Sequence, residues 1–388
     1  MRVHAPGGRN TNEVVVVGGG IVGLACAWRI AQAGHPTVVL ERDEPGAGAS
    51  WAAAGMLAPV AEAEFGEEAH IRLNREGAAL WPGFAAELAD RTGIDLEYRR
   101  SGALVVGVDG DDLEELRRLH GLRRGLGLDT DWLTGRDCRR LEPGLSPRVR
   151  GGMLTPDDGQ VDPRAVVRAL CEAIRREGGE VRPGVAVEAV EESGGAVTGV
   201  RVAGGDVVPA ATVVVAAGAW SAAIAAADTP PVRPVKGQIL RLRGTSGRPL
   251  ATRVVWTPRC YVVCRGGGEI VIGSTVEERG FDTTITAGAV RELLDDAWEV
   301  LPDIDEHALV ETHAGLRPGT PDNLPIIGPG STAGLVWATG HYRNGVLLAP
   351  ITADAVAAIV RGDDPPPALA DVSPARLARG AGLAGSAA

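Results

Sequence analysis

Gly18, Gly20 and Gly23 form a G-x-G-x-x-G run, and Glu41 stands eighteen residues beyond the last of them. Between a strand and a helix, such glycines hold a dinucleotide. Gly18 permits the tight turn, Gly20 lets a pyrophosphate approach the backbone, and Gly23 lets the helix pack on the strand. The free N–H groups at the helix start attract the phosphates. A carboxylate at the end of the second strand binds ribose hydroxyls, and its charge disfavours the extra phosphate of NADP. The five cysteines (Cys26, Cys138, Cys171, Cys260 and Cys264) are odd in number and contain no Cys-x-x-Cys pair. They read as buried thiols rather than a disulfide scaffold or zinc knuckle, and a reducing cytoplasm is the expected compartment. Asp157-Asp158 and Asp363-Asp364 are adjacent carboxylates whose side chains diverge on extended backbone, so no metal site is read.

The elements that must position these residues follow from hydrophobic period. Val14 to Val17 is a buried parallel strand, helical spacing runs from Ile21 to Gly34, and Val38 to Leu40 is a second strand, giving a β-α-β unit. Helical patterns cover 67–92, Asp111–Leu122, Pro163–Glu177 (with Asp162 as N-cap and Gly178 as the stop), Ala287–Val300 and Thr352–Arg361. Ala103–Val108 is a strand, Val181 to Arg201 reads as strand, turn, strand about Gly194-Gly195, and residues 232–276 alternate like an antiparallel sheet. Residues 1–12 read as a loose leader and 363–388 as a flexible tail. Arg2 and Arg9 precede an apolar stretch, but Glu13 and three glycines interrupt it and no small-x-small cleavage site follows, so no export signal is read.

With 388 residues, 45% hydrophobic and 23% charged, the chain suits a globular protein of about two domains. Its net charge of −11 repels phosphate backbones and argues against nucleic-acid binding. No apolar run reaches the roughly 20 residues of a membrane helix. Lys236 is the only lysine.

The dinucleotide is FAD or NAD on the first motif alone. Two later segments favour FAD. Val213 to Val215 is a buried strand running into Ala216-Ala217-Gly218, and Gly340-His341-Tyr342-Arg343-Asn344-Gly345-Val346-Leu347-Leu348 leads into a helix. An NAD dehydrogenase has no evident need for a cofactor segment so far from its first β-α-β unit.

With Ala52-Ala53-Ala54-Gly55-Met56-Leu57, Lys236-Gly237, Cys260-Tyr261-Val262-Val263 and Gly315-Leu316-Arg317-Pro318-Gly319-Thr320, these motifs give the chain its resemblance to the D-amino-acid oxidase superfamily of flavoproteins, nearest to the glycine oxidases of thiamine biosynthesis. The resemblance spans about residues 13–362. It implies an α/β, two-domain flavoprotein: a Rossmann-type FAD-binding domain built from 13–80, 155–222 and 325–362, and a mixed-sheet α+β substrate domain from 81–154 and 223–324. By position, it places Gly18, Gly20, Ile21, Val22, Gly23, Glu41, Arg42, Ala49 and Ser50 on FAD, with Ala54, Gly55 and Met56 along the flavin. Val185 meets the adenine, Gly218 belongs to the same cradle, and His341, Tyr342, Arg343, Asn344, Gly345, Val346 and Leu347 face the ring. Small residues there allow a flat ring to approach closely.

The resemblance also implies the chemistry. An amino acid offers a carboxylate, an amine and a Cα–H bond, and arginine's planar fork binds a carboxylate at two points. Arg317, read as lying in a loop between Gly315 and Gly319, is the candidate anchor. Tyr261 adds a hydroxyl to the same carboxylate, and Arg343 stands near substrate and flavin. His313 and His341 are not read as general bases, because hydride passes directly from Cα to the flavin. The expected reaction takes glycine, and small N-alkyl glycines or D-amino acids, to the imine and then to glyoxylate and ammonia. O2 is the electron acceptor and yields peroxide. The alternatives are a D-amino-acid or N-methyl amino-acid dehydrogenase or oxidase of the same superfamily, and a non-catalytic flavin-binding subunit. FAD is expected to be non-covalent, since no cysteine lies in the C-terminal flavin segment. The resemblance further implies a homo-oligomer, a tetramer being the form relatives often take. Trp51 stands where a smaller polar residue is expected.

Overall fold

The computed structural model describes residues 14–244 and 249–377, so the leader expected over 1–12 lies outside the described residues. Four consecutive valines leave no polar face to offer water, and Val14–Val17 is accordingly buried on both sides, near the middle of a six-stranded sheet. The strand order is Ile326–Pro329, Leu335–Thr339, Thr212–Val215, Val14–Val17, Thr37–Leu40, Glu180–Arg182. Every neighbouring pair is parallel except the first. Helices Ile21–Gln32, Glu68–Thr92, Pro163–Arg176 and Ala349–Arg361 bury their apolar stripes on one face, where Phe84 meets Trp28 and Trp81 edge-on at 5.3 and 5.4 Å. A three-stranded antiparallel sheet (Val187–Ser193, Ala196–Val202, Val207–Pro209) covers the other face, setting Val190 and Val200 against Val15 and Val213. Asp162 caps the helix Pro163–Arg176 by accepting from the Arg164 N–H.

The second unit is an eight-stranded sheet in the order Ala308–Gly319, Arg233–Arg243, Glu269–Gly273, Tyr261–Cys264, Val254–Trp256, Ala103–Gly107, Gly151–Thr155, Asp131–Thr134. Only Val254–Trp256 and Ala103–Gly107 run parallel. Helix Ala287–Val300 closes one face with Leu293, Ala297 and Val300. The described cysteines are all unpaired thiols.

Two expected divisions differ from the structure. The boundary at residue 81 falls inside helix Glu68–Thr92, whose Trp81, Phe84 and Leu88 share one core with Trp28. One helix buries one continuous stripe, so the nucleotide unit extends through that helix. The tail expected to be loose from 363 is placed as far as 377. Leu369 and Val372, on the short helix Pro367–Val372, are buried in the same core, and Arg376 pairs with Asp322 at 3.0 Å. Two apolar side chains in an Ala/Pro-rich stretch were enough to anchor it.

Candidate functional site

The glycine-rich turn has the geometry its residue types call for. Gly18 has φ +107°, and a Cβ there would collide with the Ala216 carbonyl. At Gly23 a Cβ would strike the carbonyl oxygen of Gly18, so only glycine lets helix Ile21–Gln32 come this close to the strand. Gly20 begins that helix without a side-chain cap, and its first turn carries no acidic residue. The helix start is thereby left open to an anion. Ser50 Oγ accepts from the Ile21 N–H at 3.0 Å. Glu41 follows the second strand. Its Oε2 accepts from the Gly19 N–H at 2.6 Å, its Oε1 from the Asp43 N–H at 2.9 Å, and its carbonyl from the Val185 N–H at 2.8 Å. The Arg42 guanidinium stacks on the Trp220 ring at 3.6 Å.

These groups line one cavity of about 740 Å³. That is toward the upper end of the roughly 300–1,000 Å³ of small-molecule sites and leaves room for far more than an amino acid. Of the residues assigned to the cofactor from sequence, Gly18, Gly20, Ile21, Val22, Glu41, Arg42, Ala49, Ser50, Ala54, Gly55, Met56, Val185, Gly218, His341, Tyr342, Arg343, Gly345 and Val346 all lie on its wall. Gly23, Asn344 and Leu347 do not. Gly23 serves helix packing, Asn344 donates to Glu62 at 2.6 Å, and the Leu347 carbonyl accepts from the Trp81 indole at 3.0 Å. A cradle that a Cβ would fill, a helix whose first turn carries no acidic residue and a carboxylate at the second strand's end together fit a dinucleotide.

The same cavity reaches the second sheet, where it is lined by Tyr261, Ser274 and Arg317. Arg317 is not in a loop. It lies within strand Ala308–Gly319, opposite Val235, and its guanidinium sits over Gly237, where a Cβ would collide with it. Strand register fixes it more firmly than a loop would. Its Nη1 donates to the carbonyls of Thr275 (3.1 Å) and Lys236 (3.3 Å), and its Nη2 to Ser274 Oγ at 2.5 Å. Burial raises the pKa of Tyr261, while Arg317 and a hydrogen bond with Ser274 act the other way. Tyr261 is therefore a neutral hydroxyl, and Ser274 touches both groups.

The remaining candidates separate. Arg343 is on the wall, but its guanidinium is committed to carboxylates: Glu67 at 2.7 Å, Glu62 at 3.4 Å and Glu64 at 3.9 Å. It is thus no free anchor for a substrate carboxylate. His341 is buried, bonded through Nε2 to Thr352 Oγ1 at 3.0 Å, and burial pushes it down to about 3, so its ring is neutral. His313 is half-buried and off the cavity, with a pKa lowered by burial. Lys236 points elsewhere: its Nζ donates to the Thr284 carbonyl at 2.5 Å and pairs with Asp282 at 3.4 Å. Trp51 also faces away from the cavity. Its indole N–H donates to Glu311 at 2.9 Å and Arg164 stacks on its ring at 3.6 Å.

Sequence reading missed Ser274 and Glu62. Ser274 follows a strand without any motif of its own. Glu62 lies in a short acidic alternation (Glu62, Glu64) that looks like solvent-facing charge, yet its carboxylate is buried on the cavity wall, with its pKa raised by burial against the pull of Arg343 and Asn344.

Known proteins resemble the chain over most of its length. A family model described as FAD dependent oxidoreductase (DAO) matches residues 13–359. Among curated proteins, the chain is 37% identical to the bifunctional protein ThiO/ThiG of Trichormus variabilis over 89% of its own length, and spans about half (52%) of that relative. It is 34% identical to the glycine oxidase of Geobacillus kaustophilus, over 96% of this chain and 98% of that one. The crystal structure of glycine oxidase from Geobacillus kaustophilus superposes with a TM-score of 0.87 at 33% identity, covering 94% of this chain and 98% of that one.

Proposed function

The chain belongs to the FAD-dependent oxidoreductase family, and we propose that within it the reaction is the oxidation of glycine to the imine, which water converts to glyoxylate and ammonia. The observation that carries this reading is the grouping of the Arg317 guanidinium, Ser274 Oγ and the neutral Tyr261 hydroxyl on the wall of the cavity that also holds the dinucleotide cradle. The curated relatives and solved structures named glycine oxidase support it.

Bound FAD supplies a two-electron acceptor that dioxygen regenerates with release of peroxide. The protein's part is to bind and orient. Arg317 holds the substrate carboxylate with its planar fork, and Tyr261 donates a hydrogen bond to the same group. Ser274, the Thr275 carbonyl and the Lys236 carbonyl fix the fork in one rotamer, so little freedom is lost when the ligand binds. Ala54 and Gly55, with little or no side chain, line the same cavity. His341 is neutral and committed to Thr352, so the amine proton leaves without its help. Positioning accounts for the rate enhancement that remains to the protein.

Among the described residues no helix is long and apolar enough to cross a membrane. A cytoplasmic location and a homo-oligomer belong to the same reading; the unpaired thiols support the former, and light scattering tests the latter. The function itself is tested by mixing the FAD-loaded protein with glycine without air. Bleaching of the flavin band, then its recovery with one peroxide per glycine on admitting air, is the expected result. Bleaching that air does not reverse would assign a dehydrogenase instead, and no bleaching would remove glycine as the substrate.

A further inference from the structure

Glu62 has a side of its carboxylate that the protein does not use. Its Oε2 takes the Asn344 amide at 2.6 Å and lies 3.4 Å from Arg343 Nε. Among the described residues no donor reaches Oε1, and that atom is not among the buried polar atoms sealed without a partner. Glu62 lines the same cavity as Tyr261 and Arg317, and its charge is felt at the Tyr261 hydroxyl. The carboxylate is also held in place from behind. Asp158 accepts from the N–H groups of Val60 (3.0 Å) and Ala61 (2.9 Å), while Arg123 donates to the carbonyls of Ala61 (2.6 Å) and Ala63 (3.3 Å). Two buried side chains, Asp158 and Arg123, thus hold the backbone on both sides of Glu62, and its side chain projects from a fixed base.

Resting on the reading of this cavity as an amino-acid pocket, we propose that Glu62 is a specificity-determining residue whose open Oε1 receives the substrate's amino group. The pocket then has two poles, a guanidinium for the carboxylate and a carboxylate for the amine. A substrate ammonium gives a carboxylate a charge-assisted hydrogen bond, whereas the neutral hydroxyl of a hydroxy acid donates only an ordinary one. The carboxylate therefore favours the amino acid over the hydroxy acid of the same shape. The role is binding and selection; no bond to Glu62 forms or breaks.

The test compares glycine with glycolate, which keeps the carboxylate and exchanges the amine for a hydroxyl, on FAD-loaded wild type and Glu62→Gln. Apparent affinities are read from the flavin spectrum, by anaerobic reduction for glycine and by band shift for glycolate. The expected result is glycine affinity lowered by about ten-fold or more with glycolate unchanged within about three-fold. Equal weakening of both ligands, or an unchanged glycine affinity, overturns the proposal. If the Gln variant releases FAD, Glu62→Asp is measured in its place, with the same contrast expected. Loss of FAD from both variants overturns the proposal, since the carboxylate would then serve the loop carrying Arg343 and Asn344. A wild type that binds glycolate but is not reduced by glycine sinks the oxidation reading alone; glycine binding is then followed by band shift and the comparison stands.

Discussion

The Tyr261 hydroxyl lies over Gly273, its partner across the strand pair, in space that a Cβ at Gly273 would occupy. Arg317 is registered opposite Val235, and its guanidinium reaches along that neighbouring strand to lie over Gly237, two residues on, again in space that a Cβ would occupy. Both cavity-lining side chains therefore fold flat across a sheet because the strand beside each has no side chain at that point. Gly273 does not have positive φ, and the three atoms nearest to a Cβ there all belong to Tyr261. Gly273→Ala should displace Tyr261, lowering kcat/KM for glycine by about ten-fold or more and costing roughly 1–3 kcal/mol of stability from overpacking. Steady-state kinetics and a thermal melt read the two effects, and a variant with wild-type KM would show that Tyr261 does not touch the substrate.

Removing the anchor itself should be more costly. Arg317→Ala removes the guanidinium beside Tyr261 and leaves the Ser274 hydroxyl without its donor. The expected loss in kcat/KM is about 10²–10³-fold, or roughly 3–4 kcal/mol, carried mostly by KM. Arg317→Lys should recover only part of it, because an ammonium cannot make the two-point contact. FAD content of the purified variants should match wild type, since the cradle at Gly18 to Glu41 is elsewhere on the wall. An unchanged KM in Arg317→Ala would end the anchor assignment.

Much of this site was legible because its parts carry their own signals. Gly18 and Gly23 are demanded by backbone clearance, Glu41 ends up on the cavity wall where its spacing from the glycines put it, and four valines in a row announce a strand buried on both faces. The division into two units came from the family resemblance, while period supplied single strands and the alternation over 232–276. Other features depend on what lies across space. Nothing local distinguishes Arg343, bound by three carboxylates, from Arg317, whose fork lines the cavity, because the difference is set by Glu62, Glu64 and Glu67 some 280 residues away. Glu62 was hidden for the converse reason: an acidic residue in a loop looks solvated until Asp158 and Arg123 are seen holding the backbone around it. Leu369 and Val372 anchor a segment whose composition alone reads as loose.

Trp51 shows that a bulky residue next to a cofactor segment need not act on the cofactor. It is 39% exposed and takes part in a contact between the two sheets' domains, with Glu311 and Arg164 as partners. Trp51→Phe keeps a ring for Arg164 and deletes the indole hydrogen bond. Its expected cost is about 1 kcal/mol or less, given the exposure, a drop of a few degrees in Tm. Its kcat/KM should stay within about three-fold of wild type. A large change in KM with an unchanged Tm would instead mean that Trp51 reaches the pocket.

The pH dependence of stability follows from His341. Burial pushes its imidazole down to about 3, against an unfolded value near 6.5. Between these values the unfolded chain binds a proton that the folded chain refuses, so protons favour unfolding. The contribution of neutral His341 is complete above about pH 6.5 and is lost as pH falls toward 3, at up to about 1.4 kcal/mol per pH unit. His341→Gln keeps a polar partner for Thr352 and cannot titrate. Urea unfolding of the two FAD-loaded proteins at intervals from pH 4 to 8 should give a stability difference that is flat above pH 6.5 and shifts in favour of the variant below it. Parallel curves over the whole range would mean that His341 protonates as readily in the fold as outside it. The neutral ring would then have to be withdrawn from the account of how the segment from His341 to Leu347 is held beside the cavity.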